Sequence, residues 1–309
     1  MSMLPLRSAI AALLALSVGG CWDNSPGAAI PDGRVAFTTV RAGGQRGISL
    51  ATSGGHDERL YLNGAVDKPA WSPNGAFIAY ERANPGTYTD ILFVRVADGV
   101  TQQVTSTSAR HERDPAWSPS GERIAYGATF FTEGVGSADS IVIATWDGRG
   151  ASAVTPGADP SWAPDGRIAF VDRAEGSATA IWVLDAVWRR TRATVADDGR
   201  SDVEPAWGPD GRRAWTRRGP APWPTGGTRE QWSIMRQYDV GGPAVVVATD
   251  TLPLGAPAWS PDGTHLVITA SWSGTPELWV LSVDGATRRR ITAPACPAPC
   301  GNRNASWAR

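Results

Sequence analysis

The chain is short of the residues on which most enzyme chemistry is built. Its 309 residues include three histidines and three cysteines, and they contain no Gly-x-Ser-x-Gly nucleophile elbow and no glycine-rich phosphate loop. Its Asp-Gly pairs lack the ligand spacing of a calcium loop. Neither a catalytic residue nor a cofactor is therefore expected, and the chain reads as a non-enzyme. Bulk charge is missing too: 29 Lys plus Arg face 30 Asp plus Glu, so no net field draws the protein to nucleic acid. Lysine is nearly absent. Lys68 is the single copy and every other basic side chain is Arg, a bias that a coding sequence rich in G and C explains without special selection. Long apolar runs are absent as well. Ala9 to Val18, which follows Arg7, has signal-peptide length and is too short to span a bilayer.

What is present is repetition. Pro69-Ala70-Trp71-Ser72-Pro73-Asn74-Gly75 returns as Pro115-Ala116-Trp117-Ser118-Pro119-Ser120-Gly121 and Pro160-Ser161-Trp162-Ala163-Pro164-Asp165-Gly166. Two further copies begin at Pro205 and Pro257, and the five tryptophans are spaced by 46, 45, 45 and 52 residues. The Ser-Pro-Asp-Gly core offers the residues a β-turn prefers in order, ending on a glycine free to take positive φ. Apolar runs such as Phe77 to Tyr80 and Leu266 to Ile268 follow the turn, then a third run, then in several copies an Asp-Gly turn and a short fourth strand. Four strands per period of this length make one propeller blade.

The two ends complete the count. Asn304-Ala305-Ser306-Trp307-Ala308-Arg309 is the first half of a motif and Pro31-Asp32-Gly33-Arg34-Val35-Ala36-Phe37 the second half. The expectation is an all-β, six-bladed propeller of four-stranded antiparallel blades over residues 31–309. It is closed by pairing the C-terminal strand with Arg34 to Thr39, which leaves no open sheet edge.

The repeats resemble the PD40, or WD40-like, propeller-repeat family of TolB-like bacterial envelope proteins, and the resemblance covers residues 31–309. It implies a scaffold whose channel mouth binds an envelope protein or peptide, in cell-envelope maintenance. Leu16-Ser17-Val18-Gly19-Gly20-Cys21 resembles a lipoprotein lipobox. That implies removal of residues 1–20, acylation of Cys21, a tether over 21–30, and attachment to the bilayer through several acyl chains. The expected place is the periplasmic face of an outer membrane, since Trp22 follows Cys21 where a retention signal would have Asp, and the expected state is a monomer. Cys296 and Cys300, in Cys-Pro-Ala-Pro-Cys, read as a disulfide in an exported protein.

Unrepeated residues are the candidates for binding. Immediately before each motif proline or its Ala305 equivalent stand Lys68, Asp114, Asp159, Glu204, Ala256 and Asn304; one step earlier are Asp67, Arg113 and Arg303 among others. All six blades bring these positions to one rim, acidic along one arc, which suits a basic peptide or a hydrated cation, or else serves only to cap strand ends. The motif tryptophans are expected to pack between blades. Gly219 to Gly227 is expected to be a non-strand loop exposing Trp223, with Phe130 and Phe131, in a long connection, a weaker candidate of the same kind. Some lyases of uronic acid oligomers with related repeats hold a His-ligated metal at the propeller mouth. His56, His111 and His265 occupy non-equivalent places, which argues against such a metal site here, and that polysaccharide-active reading is the alternative.

Overall fold

A computed structural model describes residues 33–55, 58–84, 88–132, 136–173, 178–194, 199–222, 226–238, 242–293 and 300–308. The described residues form twenty-four strands in six antiparallel sheets of four. Blade I combines β24 (Gly301–Trp307) with β1 (Arg34–Val40), β2 (Arg46–Thr52) and β3 (Arg59–Asn63). Blade II is β4 (Val66–Trp71), β5 (Phe77–Ala83), β6 (Thr89–Arg95) and β7 (Thr101–Gln103). Blade III is β8 (Arg110–Trp117), β9 (Arg123–Thr132), β10 (Gly136–Thr145) and β11 (Ser152–Pro156). Blade IV is β12 (Ala158–Trp162), β13 (Ile168–Arg173), β14 (Thr179–Leu184) and β15 (Arg190–Arg192). Blade V is β16 (Ser201–Trp207), β17 (Arg213–Pro222), β18 (Thr228–Gln237) and β19 (Val245–Asp250). Blade VI is β20 (Leu254–Trp259), β21 (His265–Ala270), β22 (Glu277–Ser282) and β23 (Arg288–Arg290). The fold is thus the six-bladed propeller that the repeats imply, closed where Val35 pairs with Trp307 and Ala36 with Ser306.

Each motif turn forms as its residues dictate. The N–H of Gly75 donates to the Ser72 carbonyl at 2.9 Å, Gly121 to Ser118 at 2.9 Å and Gly263 to Ser260 at 2.9 Å, with these glycines at φ 65, 73 and 70°. The serine hydroxyl then accepts the N–H two residues past the glycine, as Ser72 Oγ does from Phe77 at 2.9 Å and Ser260 Oγ from His265 at 2.9 Å. These turns mark one face of the disc, the turn face. The connections between the second and third strands, and those leading into each inner strand, mark the other, the mouth face.

The core is divided among the seams. Six apolar clusters each join side chains of two neighbouring blades, so burial is gained only when blades stack, and closing the ring gains one seam beyond those of an open stack. The motif tryptophans sit in these seams. Trp117 lies 6.3 Å from Phe77 and 6.1 Å from Phe93 of blade II, and its Nε1 donates across to Ala70 O at 3.2 Å. Trp259 likewise donates to Ala206 O at 3.1 Å, beneath the Arg212 guanidinium.

Two expectations are corrected. Residues Gly219 to Pro222 are not loop but the end of β17, paired from Gly219 with Gln231 to Pro222 with Thr228. Pro220 and Pro222, spaced by two, turn their nitrogens to one strand edge, and β16 ends opposite Arg218, so a strand edge without ladder partners is available for them. Trp223 lies outside the described residues. Phe130 and Phe131 also belong to a strand, β9, rather than to a connection, because blade III extends its central hairpin to ten-residue strands.

Candidate functional site

The mouth is built from one backbone irregularity repeated six times. Every inner strand is bulged where it meets the second strand of its blade, as between Asp67 and Ala70 or between Arg113 and Ala116. At each bulge the residue before the proline, or before Ala305, takes a left-handed conformation: Lys68 at φ 52°, Asp114 at 53°, Asp159 at 55°, Glu204 at 55°, Ala256 at 49° and Asn304 at 53°. None is glycine, so each carries backbone strain on the order of 1 kcal/mol. These six residues line a cavity of about 110 Å³ on the propeller axis.

Stacking holds these strained units in place. The positions paired with the residue before each bulge are Thr38, Glu81, Gly127, Val171, Thr216 and Thr269. Three of them accept the N–H of the left-handed residue in the next blade: Thr38 Oγ1 from Lys68 at 3.2 Å, Glu81 Oε1 from Asp114 at 2.7 Å and Thr269 Oγ1 from Asn304 at 3.1 Å. Where Val171 offers no polar atom, the Asp159 carboxylate accepts the Glu204 N–H instead. In blade V the Thr216 hydroxyl donates to Glu204 Oε2 at 2.7 Å, and that oxygen accepts the Ala256 N–H at 2.6 Å.

The electrostatics follow from this crowding. The lone lysine of the chain, Lys68, places its Nζ 3.0 Å from Asp114 Oδ1, with the two side chains 30% and 20% exposed. Burial opposes its charge, but Asp114, Asp159, Glu204 and Glu81 together hold it well above the ordinary lysine value. Burial and the charge of Asp114 raise Asp159 to about 7 and Glu81 to about 8. One ammonium therefore faces four carboxyl groups, and two of those groups keep protons near neutrality.

The remaining predicted residues lie elsewhere. Asp67 is turned into the seam of blades I and II, where it accepts from Thr38 Oγ1 at 2.7 Å, Arg46 at 2.9 Å, Arg303 at 3.0 Å and Asn304 Nδ2 at 3.0 Å. Burial would raise its carboxyl, but the Thr38 hydrogen bond and the Arg303 charge hold it below the usual range. Arg303 is its ion-pair partner, and Arg113 is exposed. Cys300 is buried and disulfide-bonded, whereas Cys296, Cys21 and His56 lie outside the described residues. His111 is on the mouth face, 5.0 Å from the Tyr88 ring and 6.2 Å from the exposed Phe131. His265 is buried at the opposite end of its blade, against Thr264 Oγ1 at 2.7 Å. No three His, Cys, Asp or Glu side chains among the described residues are placed to share a metal ion.

The bulged ring around an acidic axis defines the class, a six-bladed propeller with a charged mouth. The solved structures it resembles in fold include TolB from Acinetobacter baumannii, at a TM-score of 0.73 and 20% identity, covering 89% of this chain and 66% of that one. A putative TolB from Agrobacterium tumefaciens matches at a TM-score of 0.61 and 17% identity, covering 85% and 89%. An oligogalacturonate lyase from Vibrio parahaemolyticus matches at 0.54 and 11%, covering 81% and 72%. The chain thus spans just under two thirds of the Acinetobacter protein. By sequence, neither a protein-family profile nor a curated protein matches the chain.

Proposed function

We propose that this chain is a non-enzymatic, TolB-like envelope lipoprotein, exported and held to a bilayer through Cys21, whose channel mouth binds the cationic side chain of a protein or peptide partner. The observation that carries the reading is the imbalance at the axis, one ammonium among four carboxyl groups. The protons on Asp159 and Glu81 stand where a second cation would be more stable, so a guanidinium or ammonium entering the mouth would displace them and bind more tightly as pH rises through 7 to 8. The isosteric variant Asp114→Asn/Asp159→Asn/Glu204→Gln removes the charge while keeping the backbone caps. Crosslinked capture from envelope extracts should lose its main species with this variant; unchanged recovery removes the mouth from consideration.

A sugar-cleaving propeller with a metal at the mouth is the second reading, supported by the fold shared with the lyase and by His111 on the mouth face between aromatic rings. Turnover of uronic acid oligomers that vanishes in His111→Ala would establish it and overturn the scaffold reading.

A further inference from the structure

Exposed apolar side chains are distributed unequally between the two faces. Ten large ones are exposed among the described residues, and seven of them crowd the turns and strand starts between the third and fourth strands of blades II to V. They are Val100, Trp146, Val187, Trp188, Tyr238 and the adjoining pair Val245 and Val246. Only Phe131 and Leu252 of the ten belong to the mouth face.

The most telling of them is Trp188. Its N–H closes the blade IV turn onto the Asp185 carbonyl at 3.0 Å, the place taken by Gly148 in blade III and Gly285 in blade VI. Those glycines have φ 83 and 74°, and Trp188 takes φ 63° with a side chain that is strained for it. A bulky aromatic in that conformation costs stability, yet Trp188 is 50% exposed and its neighbour Val187 is 73% exposed. Half of the indole therefore stays in solvent despite the strain of its backbone. Beside Trp188 runs a groove of about 630 Å³ whose apolar wall is Ile143, Ala144, Ala153 and Val154.

We infer that the turn face of blades II to V rests on a phospholipid bilayer, with Trp188, Val187 and Trp146 inserted at its interface. Tryptophan is suited to that boundary, one edge apolar and the indole N–H wet. The chain also enters the propeller on this face, because Gly33 immediately precedes β1 at the end where Val35 meets Trp307. Eleven residues lie between Cys21 and Gly33, a reach of at most roughly 40 Å, so an acylated Cys21 would tether the propeller from this face of the disc. That orientation rests on the lipid anchor proposed above; the apolar face itself does not. Charge adds little, since Asp98, Asp147, Asp165 and Asp185 each pair with an arginine of the same turn. Contact is driven by apolar area and is nearly independent of salt.

The test uses the chain from residue 22 onward, which lacks both leader and acyl group, while every described strand lies between Arg34 and Trp307. It is floated with vesicles of phosphatidylethanolamine and phosphatidylglycerol. Flotation is expected at low and high salt, and Val187→Ser/Trp188→Gly should lower partitioning by roughly tenfold or more. The same variant should melt no lower than the parent, because glycine is relaxed at this φ. Folded parent protein that stays with the soluble fraction would overturn the inference, as would equal flotation of the variant. A concentration-dependent dimer that the variant abolishes would give the face to a second copy and also overturn it. Fatty-acid labelling of the full chain, lost in Cys21→Ser, reads the anchor separately; its failure removes the tether and leaves the vesicle result to decide the face.

Discussion

Replacing Lys68 by Met keeps the apolar stem and removes the one cation from the mouth. The gross attraction between Nζ and Asp114 Oδ1 at 3.0 Å is about 5 kcal/mol at an effective dielectric of 20. Much of that is offset because the ammonium no longer has to be desolvated, and partial exposure of both side chains screens the remainder. A net loss of about 2 kcal/mol is expected near pH 8.5, a fall in melting temperature of about 5 °C for a domain of this size. The loss must depend on pH. Asp159 and Glu81 have raised values, so the folded chain holds protons there that the unfolded chain has released; their contribution is fully present below about pH 4 and is lost as pH rises through 7 and 8. Without Lys68 both carboxyls rise further and the slope steepens. Lys68 itself is raised, so its own contribution persists below the unfolded lysine value and is lost only in strong alkali. The difference between Lys68→Met and the parent should therefore be smaller near pH 5 than near pH 8.5, because Asp159 and Glu81 are protonated in both proteins at the lower pH. Thermal melts followed by circular dichroism across this range decide the matter. A difference that stays constant with pH, or a variant more stable than the parent near pH 8.5, would refute the electrostatic account of the mouth.

Asp67→Asn should cost about 1 to 2 kcal/mol, because the part-exposed Arg46 and Arg303 lose the buried carboxylate they share, and hydrogen exchange of β24 should accelerate most. Asp67 has a lowered value, so its contribution is present above the unfolded value near 3.8 and is lost as pH falls through the lower folded one; the gap to Asp67→Asn should close only in strong acid. Gly285→Ala drives a Cβ into the carbonyl of Val247 and should cost well over 2 kcal/mol in urea melts, whereas Gly99→Ala, with open space around it, should cost only about 1 kcal/mol of left-handed strain.

The ring was legible because its physics is local and repeated. The motif turn keeps its Pro and Gly in every whole copy, and the seam tryptophan keeps its place, so five whole copies and one cut copy specify fold and closure together. The mouth was legible only in part, since the residues before each proline follow from repeat alignment but their left-handed backbone does not. That conformation arises from a bulge, and four side-chain types besides lysine occupy it without a shared chemical signature. For the same reason Asp67 and Arg303, one residue earlier, face a seam and not the axis. Glu81 gave little signal, following an apolar run as one more strand residue; only the pairing of Glu81 with Asp67 shows that it caps the next blade. Pro220 and Pro222 misled in the opposite direction, because a strand edge without partners tolerates what a central ladder forbids.

Ala256 offers a way to separate the two roles that the mouth residues combine, strained backbone and charge. It sits at φ 49° with its N–H bonded to Glu204 Oε2, and its side chain position on the axis is the one apolar place in the ring. Asp and Asn tolerate the left-handed region better than Ala, so Ala256→Asn should be stabilising by a few tenths of a kcal/mol, roughly independent of pH. Ala256→Asp carries the same backbone advantage and adds a fifth carboxyl facing a single ammonium. Its own value must be raised, like those of Asp159 and Glu81, so it holds a proton in the folded chain at pH values where the unfolded chain has lost it. The Asp variant should match the Asn variant near pH 5 and fall below the parent near pH 8, with the curves crossing between. It should also bind an arginine-containing peptide more tightly than the parent at pH 8, because the added charge is relieved only by a cation. If the Asp and Asn variants have parallel stability curves, the axis is effectively solvent, the carboxylates serve only as backbone caps, and the mouth has no electrostatic preference to offer a partner.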